Sequence, residues 1–263
     1  MAELQIKLEG VCLSRGGVEI LHDIAWEVLA GQRWVLLGPN GSGKTSMLEV
    51  ITGYEWPNVG RVTLLDERLG EVDIHTHRRR IGLASTGIDH FIKKHQTALQ
   101  IVLSGFFDST GLFDSPTTRQ IHTAQTMLDM LGCGYLASRR FSLLSLGEQR
   151  KVLIARSLVY SPEMLILDEP CAGLDIAARE FVLKTIAELA GNGHSAALSS
   201  IIYVTHHIDE ILPCFTHILA IKSGGIVAAG PIRQTLTSDL MTELYGIPIE
   251  VGYFGGRYTA RVR

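Results

Sequence analysis

The segment GPNGSGKT at residues 38–45 constrains this chain more than any other part of its sequence. It fits G-x-x-x-x-G-K-[ST], the pattern of a phosphate-binding loop, in which successive backbone N–H groups cradle phosphate oxygens at a helix N-terminus. The apolar run Arg33–Leu37 precedes it and predicts a short buried strand, and the residues from Met47 onwards predict the start of a helix. This strand–loop–helix context makes a chance match in a glycine-rich turn the weaker interpretation.

Two side chains of this segment carry the predicted chemistry. Lys44 is predicted to reach the β- and γ-phosphates of a nucleotide, and the hydroxyl of Thr45 is predicted to ligate Mg²⁺. The full set of residues predicted to contact the nucleotide here is Gly38, Pro39, Asn40, Gly41, Ser42, Gly43, Lys44, Thr45 and Ser46. The motif therefore predicts that the chain binds a nucleoside triphosphate.

Length and charge limit the classes of protein that remain. A chain of 263 residues buries a full core as one large α/β domain, with or without a subdomain. The formal net charge of −3 indicates no nucleic-acid footprint, so no nucleic-acid partner is expected. We interpret the short basic clusters at residues 78–80, 93–94 and 139–140 as solvated faces.

No segment predicts a membrane span or a signal peptide. The longest apolar run, residues 195–205, is broken by serines and fits a buried strand better than a membrane helix. The first residues show no basic stretch followed by an apolar one, so a cytoplasmic chain is expected. The four cysteines, Cys12, Cys133, Cys171 and Cys214, have no C-x-x-C spacing, which favours reduced thiols packed in the core.

Hydrophobic periodicity predicts an α/β chain built from short elements. Residues 4–8 and 18–29 alternate apolar and polar side chains, so residues 1–30 predict an antiparallel β layer before the phosphate loop. Further short strands are predicted at 61–65 and 80–84, and a helix near 99–103.

A helical insertion is predicted in the middle of the chain. From Thr117 the pattern is helical, and Gly132 ends it. The apolar stripe of this helix is Ile121, Ala124, Leu128 and Leu131. Before it, residues 105–113 place aromatic side chains in a loop, which suits either a docking surface or the core of a subdomain. With no repeat and no linker, we expect a single domain, residues 1–263, with a helical subdomain at about 86–160.

The second informative region is an apolar strand that ends in two carboxylates, Asp168 and Glu169, within the segment LILDEP. A buried strand that delivers Asp168 at its end suits a Mg²⁺ partner for Thr45. Glu169, one residue further, is predicted to polarise the attacking water. An ordinary acidic turn is the better interpretation of an isolated LILDEP, but not in a chain that already holds a phosphate loop.

Two later positions complete the predicted site. Asp175 precedes a helix and is a natural N-cap. Residues 201–205 predict another buried strand, which ends at His206 and His207. A lone histidine beyond a strand is more often a cap or a core residue. At this place in the order of motifs, a contact between His206 and a γ-phosphate is favoured instead.

Five segments in this order resemble the nucleotide-binding subunits of ABC transporters. They are GPNGSGKT (38–45), LSLGEQR (144–150), LILDEP (165–170), AGLD (172–175) and VTHH (204–207). The resemblance covers nearly the whole chain, and it is specific because the serine-glycine signature between the loop and the carboxylate strand is peculiar to that superfamily. It implies an α/β fold with a RecA-like P-loop ATPase core, an N-terminal antiparallel β layer and an inserted helical subdomain.

The same resemblance implies an ATPase that uses ATP and Mg²⁺ and works as an ATP-dependent homodimer. In a head-to-tail pair, Ser145 and Gly147 would bind the γ-phosphate of the ATP that the partner's loop holds. Glu169 would be the catalytic base, Asp175 the D-loop aspartate and His206 the switch histidine.

The resemblance also implies membrane permease subunits, with this chain peripheral on the cytoplasmic face. Three segments, GFFDSTGLF (105–113), VTHHIDEI (204–211) and GIPIEVGYFGGRY (246–258), are similar to the ModF-like group linked to molybdate or other metal uptake. One alternative is a soluble ABC-type ATPase acting in repair, translation or signalling, although such proteins commonly carry two cassettes or a long coiled coil. A P-loop GTPase is remote, because no N-K-x-D guanine motif is present.

Three positions depart from the pattern of that superfamily. Arg15 stands where an aromatic residue usually stacks on adenine, and a guanidinium stacks on a base less selectively. Ser85 and Thr86 stand where a glutamine usually touches Mg²⁺ and links the site to the membrane partner. Leu146 replaces a glycine of the signature, which matters least because Ser145 and Gly147 are intact.

Arg15 generates a prediction about base selectivity. Because no aromatic ring is available for stacking, adenine should be held loosely, and GTP and ATP should compete within about tenfold, or ~1.4 kcal/mol. A competition titration with labelled ATP measures this ratio. A preference for ATP of several hundredfold would mean that another residue recognises the base.

Overall fold

The computed structural model describes residues 3–85, 87, 91–191 and 198–263. Its strands are β1 (Leu4–Arg15), β2 (Val18–Leu29), β3 (Arg33–Leu37), β4 (Val59–Leu64), β5 (Glu67–Arg68), β6 (Ile81–Ser85), β7 (Met164–Asp168), β8 (Ser200–Thr205), β9 (His217–Lys222), β10 (Gly225–Pro231), β11 (Ile249–Phe254) and β12 (Arg257–Val262). Its helices are α1 (Lys44–Ile51), α2 (Ile74–Arg78), α3 (Ala98–Ser104), α4 (Thr118–Met130), α5 (Leu146–Leu158), α6 (Ile176–Gly191), α7 (Ile232–Thr235) and α8 (Ser238–Tyr245). Two compact units emerge: Met1–Arg78 with Ser199–Arg263, and Arg79–Leu198.

The first unit contains an antiparallel sheet in which β1 lies between β2 and β4. The side chains of Ile6, Leu8 and Ile24 are buried, because alternate positions of these strands face the core. The predicted antiparallel β layer is therefore confirmed for residues 3–30, while Met1 and Ala2 lie outside the described residues.

A second sheet of the same unit places β3 between β8 and β9, parallel to both, with β10 antiparallel to β9. Strand β3 has the predicted bounds, and Trp34 to Leu37 are buried. Strand β8 confirms the predicted strand at residues 201–205, and residues 195–197 of the predicted apolar run lie outside the described part of the chain. The unit ends in the hairpin of β11 and β12.

Helix α1 begins earlier than the sequence predicts. Its first residue is Lys44 and not Met47, because Gly43, at φ +104°, serves as its N-cap directly after the loop. The helix ends at Ile51, with Thr52 as its C-cap. The last residues of the phosphate-loop motif are thus helical, which aims the N-terminus of α1 at the loop.

The second unit contains the parallel pair β6 and β7 together with α3 to α6. The predicted helices near 99–103 and after Thr117 are confirmed as α3 and α4, and Thr117 caps α4 through a capping box with Gln120. Ile121 is a correction: its side chain is 41% exposed, and the buried stripe of α4 begins one turn later, at Ala124. The predicted single domain with a subdomain at about 86–160 stays a prediction, and residues 86 and 88–90 of that range lie outside the described residues.

In the basic cluster at residues 78–80, Arg79 is exposed, whereas Arg78 and Arg80 are half-buried, so the interpretation as a solvated face is wrong for these two. Arg78 donates hydrogen bonds to the carbonyl oxygens of Thr52 and Gly53, and Arg80 forms a two-pronged ion pair with Glu163. A guanidinium offers several donors in one plane. Arg78 and Arg80 therefore each connect segments that are distant in sequence.

The cysteines divide into two pairs. Cys133 and Cys171 are buried, as predicted, whereas Cys12 and Cys214 are half-buried, so the core interpretation is wrong for those two. All four are free thiols. Burial raises the pKa of the Cys133 thiol to about 11, which keeps it protonated and unreactive.

The aromatic segment 105–113 is partly packed. Phe106 contacts the ring of Tyr160 edge-on, with 5.4 Å between ring centroids, whereas Phe113 is 69% exposed. Of the two interpretations left open, Phe106 thus fits the core of a subdomain, and Phe113 fits an exposed surface. Within the described ranges, no helix is long and apolar enough to cross a bilayer.

Candidate nucleotide site

The loop at residues 38–45 needs glycine at two positions for steric reasons. A Cβ on Gly38 would lie 2.2 Å from the carbonyl oxygen of Ile221, far inside contact distance. A Cβ on Gly43 would lie 2.9 Å from Leu21, and its φ of +104° also disfavours other residues. The close approach of the backbone to its surroundings therefore demands these glycines.

Two polar side chains of the loop are buried. Lys44 is 5% exposed, and its Nζ donates hydrogen bonds to the carbonyl oxygens of Gly38 at 2.8 Å and Pro39 at 3.0 Å. The hydroxyl of Ser42 is buried and has no hydrogen-bond partner among the described residues. A buried ammonium and a hydroxyl with an unused donor fit an anion, because a buried polar group without a partner is costly.

The other residues of the loop lie at its rim or in the first turn of α1. Ser46 is buried, Pro39 and Gly43 are half-buried, and Asn40, Gly41 and Thr45 are exposed. The exposed hydroxyl of Thr45 is thus open to a ligand at the start of the helix.

His206 lies at the same edge of the sheet of β3, β8 and β9 as the phosphate-binding loop at residues 38–45. Leu37, the last residue of β3, pairs with Thr205, the last residue of β8, so Gly38 and His206 follow neighbouring strand ends. His206 is half-buried, and its ring centroid lies 4.1 Å from that of His207. Ligands of parallel sheets bind at the carboxyl ends of the strands, which is where both segments begin.

In the second unit, β7 delivers the predicted carboxylates. Asp168 is 4% exposed and accepts a 2.8 Å hydrogen bond from the hydroxyl of Ser85, its partner in the parallel register of β6 and β7. The sequence identified Ser85 only as the residue that replaces a glutamine. Its hydrogen bond to Asp168 depends on the register between two strands that are distant in sequence, and no local pattern indicates that register. Glu169 follows with φ +48°, a conformation that non-glycine residues rarely adopt and that concentrates at functional sites.

Ser145 of the signature caps α5. Its hydroxyl accepts from the backbone N–H of Glu148, and Glu148 accepts from the backbone N–H of Ser145 at 2.8 Å. Desolvation acts to raise the pKa of Glu148, but the hydrogen bonds from Ser145 and Tyr135 outweigh it and lower the pKa. The carboxylate therefore stays charged and holds Ser145 at an exposed helix N-terminus, the usual place for anion binding.

Two more predicted residues have structural roles. Gly147 is buried, and a Cβ there would lie 3.1 Å from the Cβ of Ala178, so it permits close packing of α5 on α6. Asp175 accepts a 2.8 Å hydrogen bond from the backbone N–H of Ala178, which confirms it as the N-cap of α6. Their predicted contacts with nucleotide and partner stay predictions.

Arg15 is held by two carboxylates. It donates to Glu55 from Nε at 3.0 Å and to Glu49 from Nη2 at 2.5 Å, and hydrogen bonds to Glu55 and then Glu49 raise its pKa. These bonds occupy the edge of the guanidinium, whereas stacking on a base uses its face. The predicted contact between Arg15 and the base therefore stays a prediction.

A comparison with family profiles matches the ABC transporter family over residues 21–172. That range is more than half of the chain. The chain belongs to the ABC transporter ATP-binding family. As a member of this family it is an ATPase that binds and hydrolyses ATP, as the resemblance in the sequence implies.

Three relatives of this ABC ATPase illustrate the range of similarity. The uncharacterized ABC transporter ATP-binding protein YlmA of Bacillus subtilis is 39% identical over 94% of this chain and 92% of its own length. ModF of Escherichia coli, an ABC transporter ATP-binding protein, is 34% identical over 85% of this chain and 46% of its own length. The molybdenum import ATP-binding protein ModC of Mycobacterium tuberculosis is 32% identical over 82% and 58%. The ABC ATPase chain thus spans about half of ModF and somewhat more of ModC.

Solved cassettes share the fold of this ABC ATPase. The ATP-binding cassette MJ0796, in a dimeric post-hydrolysis structure bound to ADP and Pi, superposes with a TM-score of 0.73 at 24% identity, over 87% of this chain and 99% of its own. The predicted fold class is therefore confirmed.

Replacing Lys44 by alanine tests the loop of the ABC ATPase. The change removes the buried ammonium, so we expect a loss of turnover of about 100-fold or more and weaker nucleotide binding. Steady-state phosphate release and nucleotide titration measure both effects. Lys184→Ala, which removes an exposed lysine of α6, is the matched control. Near-normal turnover of a folded Lys44→Ala variant would contradict the assignment.

Proposed function

We propose that this chain powers uptake of a metal ion or of an oxyanion such as molybdate, through separate permease subunits. Two features support the cargo: the similarity to ModC, which is named for molybdenum import, and the segments shared with the ModF-like group. The relatives' names favour transport over a non-transport role. One observation carries the energetic part of the proposal, namely the loop that buries the ammonium of Lys44 at the N-terminus of α1.

The proposed dimer rests on an exposed face of the second unit. Ile176, at the start of α6, is 76% exposed, and Leu146 of the signature is 40% exposed, although both are large apolar side chains. Ser145 lies exposed beside Leu146. A partner subunit that covers this face would bury apolar surface and bring its own ATP to Ser145 and Gly147. The cassette MJ0796, which shares this fold, is a dimer in its solved structure, and this supports a dimer here.

The oxygen donors of the chain fit Mg²⁺. Thr45 offers an exposed hydroxyl, and Asp168 offers a buried carboxylate oriented by Ser85. Mg²⁺ prefers oxygen ligands and is commonly held by one or two side chains together with substrate phosphates. When bound, Mg²⁺ neutralises charge on the β- and γ-phosphates.

The protein groups then have separate tasks in ATP hydrolysis. Lys44 exchanges the carbonyl oxygens of Gly38 and Pro39 for phosphate oxygens, which are stronger partners for an ammonium. Glu169 accepts a proton from the attacking water, and His206 contacts the γ-phosphate. Catalysis of this type is mostly positioning and charge stabilisation. Because the permease would supply the membrane passage, we place this subunit on the cytoplasmic face of the membrane.

The dimer mechanism predicts the behaviour of Glu169→Gln. Glutamine keeps the size of the side chain but removes its charge, so hydrolysis should fall about 100-fold or more while ATP still binds. The variant should accumulate as an ATP-bound dimer in size-exclusion chromatography and stay monomeric with ADP. Adding Ser145→Arg should abolish the dimer, because a bulky side chain would fill the place of the γ-phosphate, while nucleotide binding survives.

Two outcomes of that experiment are informative against the proposal. A Glu169→Gln variant that stays monomeric at saturating ATP, both alone and with the permease, would contradict the dimer. A double variant that still dimerises would remove Ser145 from the interface.

The proposed cargo, a metal ion or an oxyanion, is tested together with the permease subunit. Affinity purification of the Glu169→Gln variant from detergent-solubilised membranes of the native host should recover a multi-span protein. Reconstituted with that protein in liposomes, the wild-type ATPase should be stimulated by molybdate or a transition-metal ion, measured against sulfate and Mg²⁺ alone as controls. Recovery of no multi-span protein would contradict transport, and stimulation only by an organic solute would contradict the proposed cargo class.

A further inference from the structure

The segment 205–210, which carries His206 and which we call the switch loop, has a cavity on one side. This open cavity has a volume of about 450 Å³. Its lining residues from the switch loop are His206, His207, Ile208 and Asp209, and those from the C-terminal elements include Tyr245 and Thr259. Ile208 of the switch loop is buried, and hydrogen bonds from both sides of the loop add to this packing in fixing its position.

A buried carboxylate fixes the inner side of the switch loop. Glu210 is 3% exposed, and it accepts hydrogen bonds from the hydroxyls of Tyr203 at 2.9 Å and Thr205 at 2.6 Å. The hydroxyl of Thr205 in turn accepts from the backbone N–H of His207 at 2.9 Å. Both ends of the loop are therefore anchored to the end of β8.

The C-terminal elements hold the outer side. The hydroxyl of Tyr245, the last residue of α8, donates to the carbonyl oxygen of His206 at 2.9 Å. Arg257, the first residue of β12, donates from Nη1 to the carbonyl oxygen of Asp209 at 3.0 Å. Burial raises the pKa of Tyr245, which keeps its phenol protonated and able to donate.

We propose that Tyr245 and Arg257 are positioning residues for His206, and that the C-terminal helix and hairpin thereby control ATP hydrolysis. Neither side chain needs to touch the nucleotide, because each bonds the main chain of the switch loop. A catalytic group displaced by about 1 Å loses up to about 100-fold in rate. The inference rests on the proposed contact between His206 and the γ-phosphate.

Single variants test the positioning role. Tyr245→Phe and Arg257→Ala should each lower kcat several-fold, up to about tenfold, while KM for ATP and the melting temperature stay near wild type. Tyr253→Phe and Arg261→Ala are matched controls from the same hairpin, because Tyr253 is largely exposed and Arg261 is exposed. Arg257→Lys keeps a donor and should recover part of the loss.

A double-variant cycle separates positioning from a general structural effect. If Tyr245 acts through His206, Tyr245→Phe should cause no further loss of kcat in a His206→Ala background. Multiplying losses would overturn the inference. So would normal kcat in both single variants alongside a strong loss in His206→Ala, which leaves the proposed function intact. Normal kcat in His206→Ala itself would overturn the proposed role of His206 and the inference with it.

Discussion

The hydrogen bonds from the ammonium of Lys44 to two carbonyl oxygens of its own loop are the interaction on which the nucleotide site depends. A charged group taken out of water needs partners, and here the loop itself supplies them. The same carbonyl oxygens are neutral, so phosphate oxygens compete with them favourably. Gly38 has no side chain, so the loop can lie directly against the carbonyl oxygen of Ile221 in β9. This close approach positions the nucleotide site next to that strand.

The signature segment LSLGEQR (144–150) also contains polar groups that need hydrogen-bond partners, here at the N-terminus of α5. Ser145 and Glu148 satisfy each other's hydrogen bonds at the start of α5, so the helix N-terminus is stable without a ligand. Under the proposed dimer mechanism, a phosphate of the partner's ATP would meet a helix N-terminus that is already formed. Lys44 and Ser145 therefore share one feature: each is satisfied by local partners, Lys44 by two carbonyl oxygens and Ser145 by the carboxylate of Glu148.

Much of the fold followed from local patterns, and what the sequence missed at the site depends mainly on contacts between distant segments. Strand β3, the cap at Asp175 and the helix after Thr117 all depend on residues close in sequence, and each was predicted. The bond between Ser85 and Asp168 and the pairing of Arg80 with Glu163 join segments about eighty residues apart. No periodicity encodes such pairs. They become visible only when β6 and β7 are placed side by side.

The switch loop shows how such distant contacts extend the site beyond its motifs. Its inner side depends on Glu210, a residue four positions after His206, whereas its outer side depends on Tyr245 and Arg257, about forty to fifty residues further along the chain. A cavity borders the loop on the side of the C-terminal elements, whereas every residue of β8 is buried. The hairpin bonds the backbone of Asp209 through Arg257, and α8 bonds the backbone of His206 through Tyr245. A histidine predicted from its position after a strand is thus held in part by Tyr245 and Arg257, which lie far from it in the sequence.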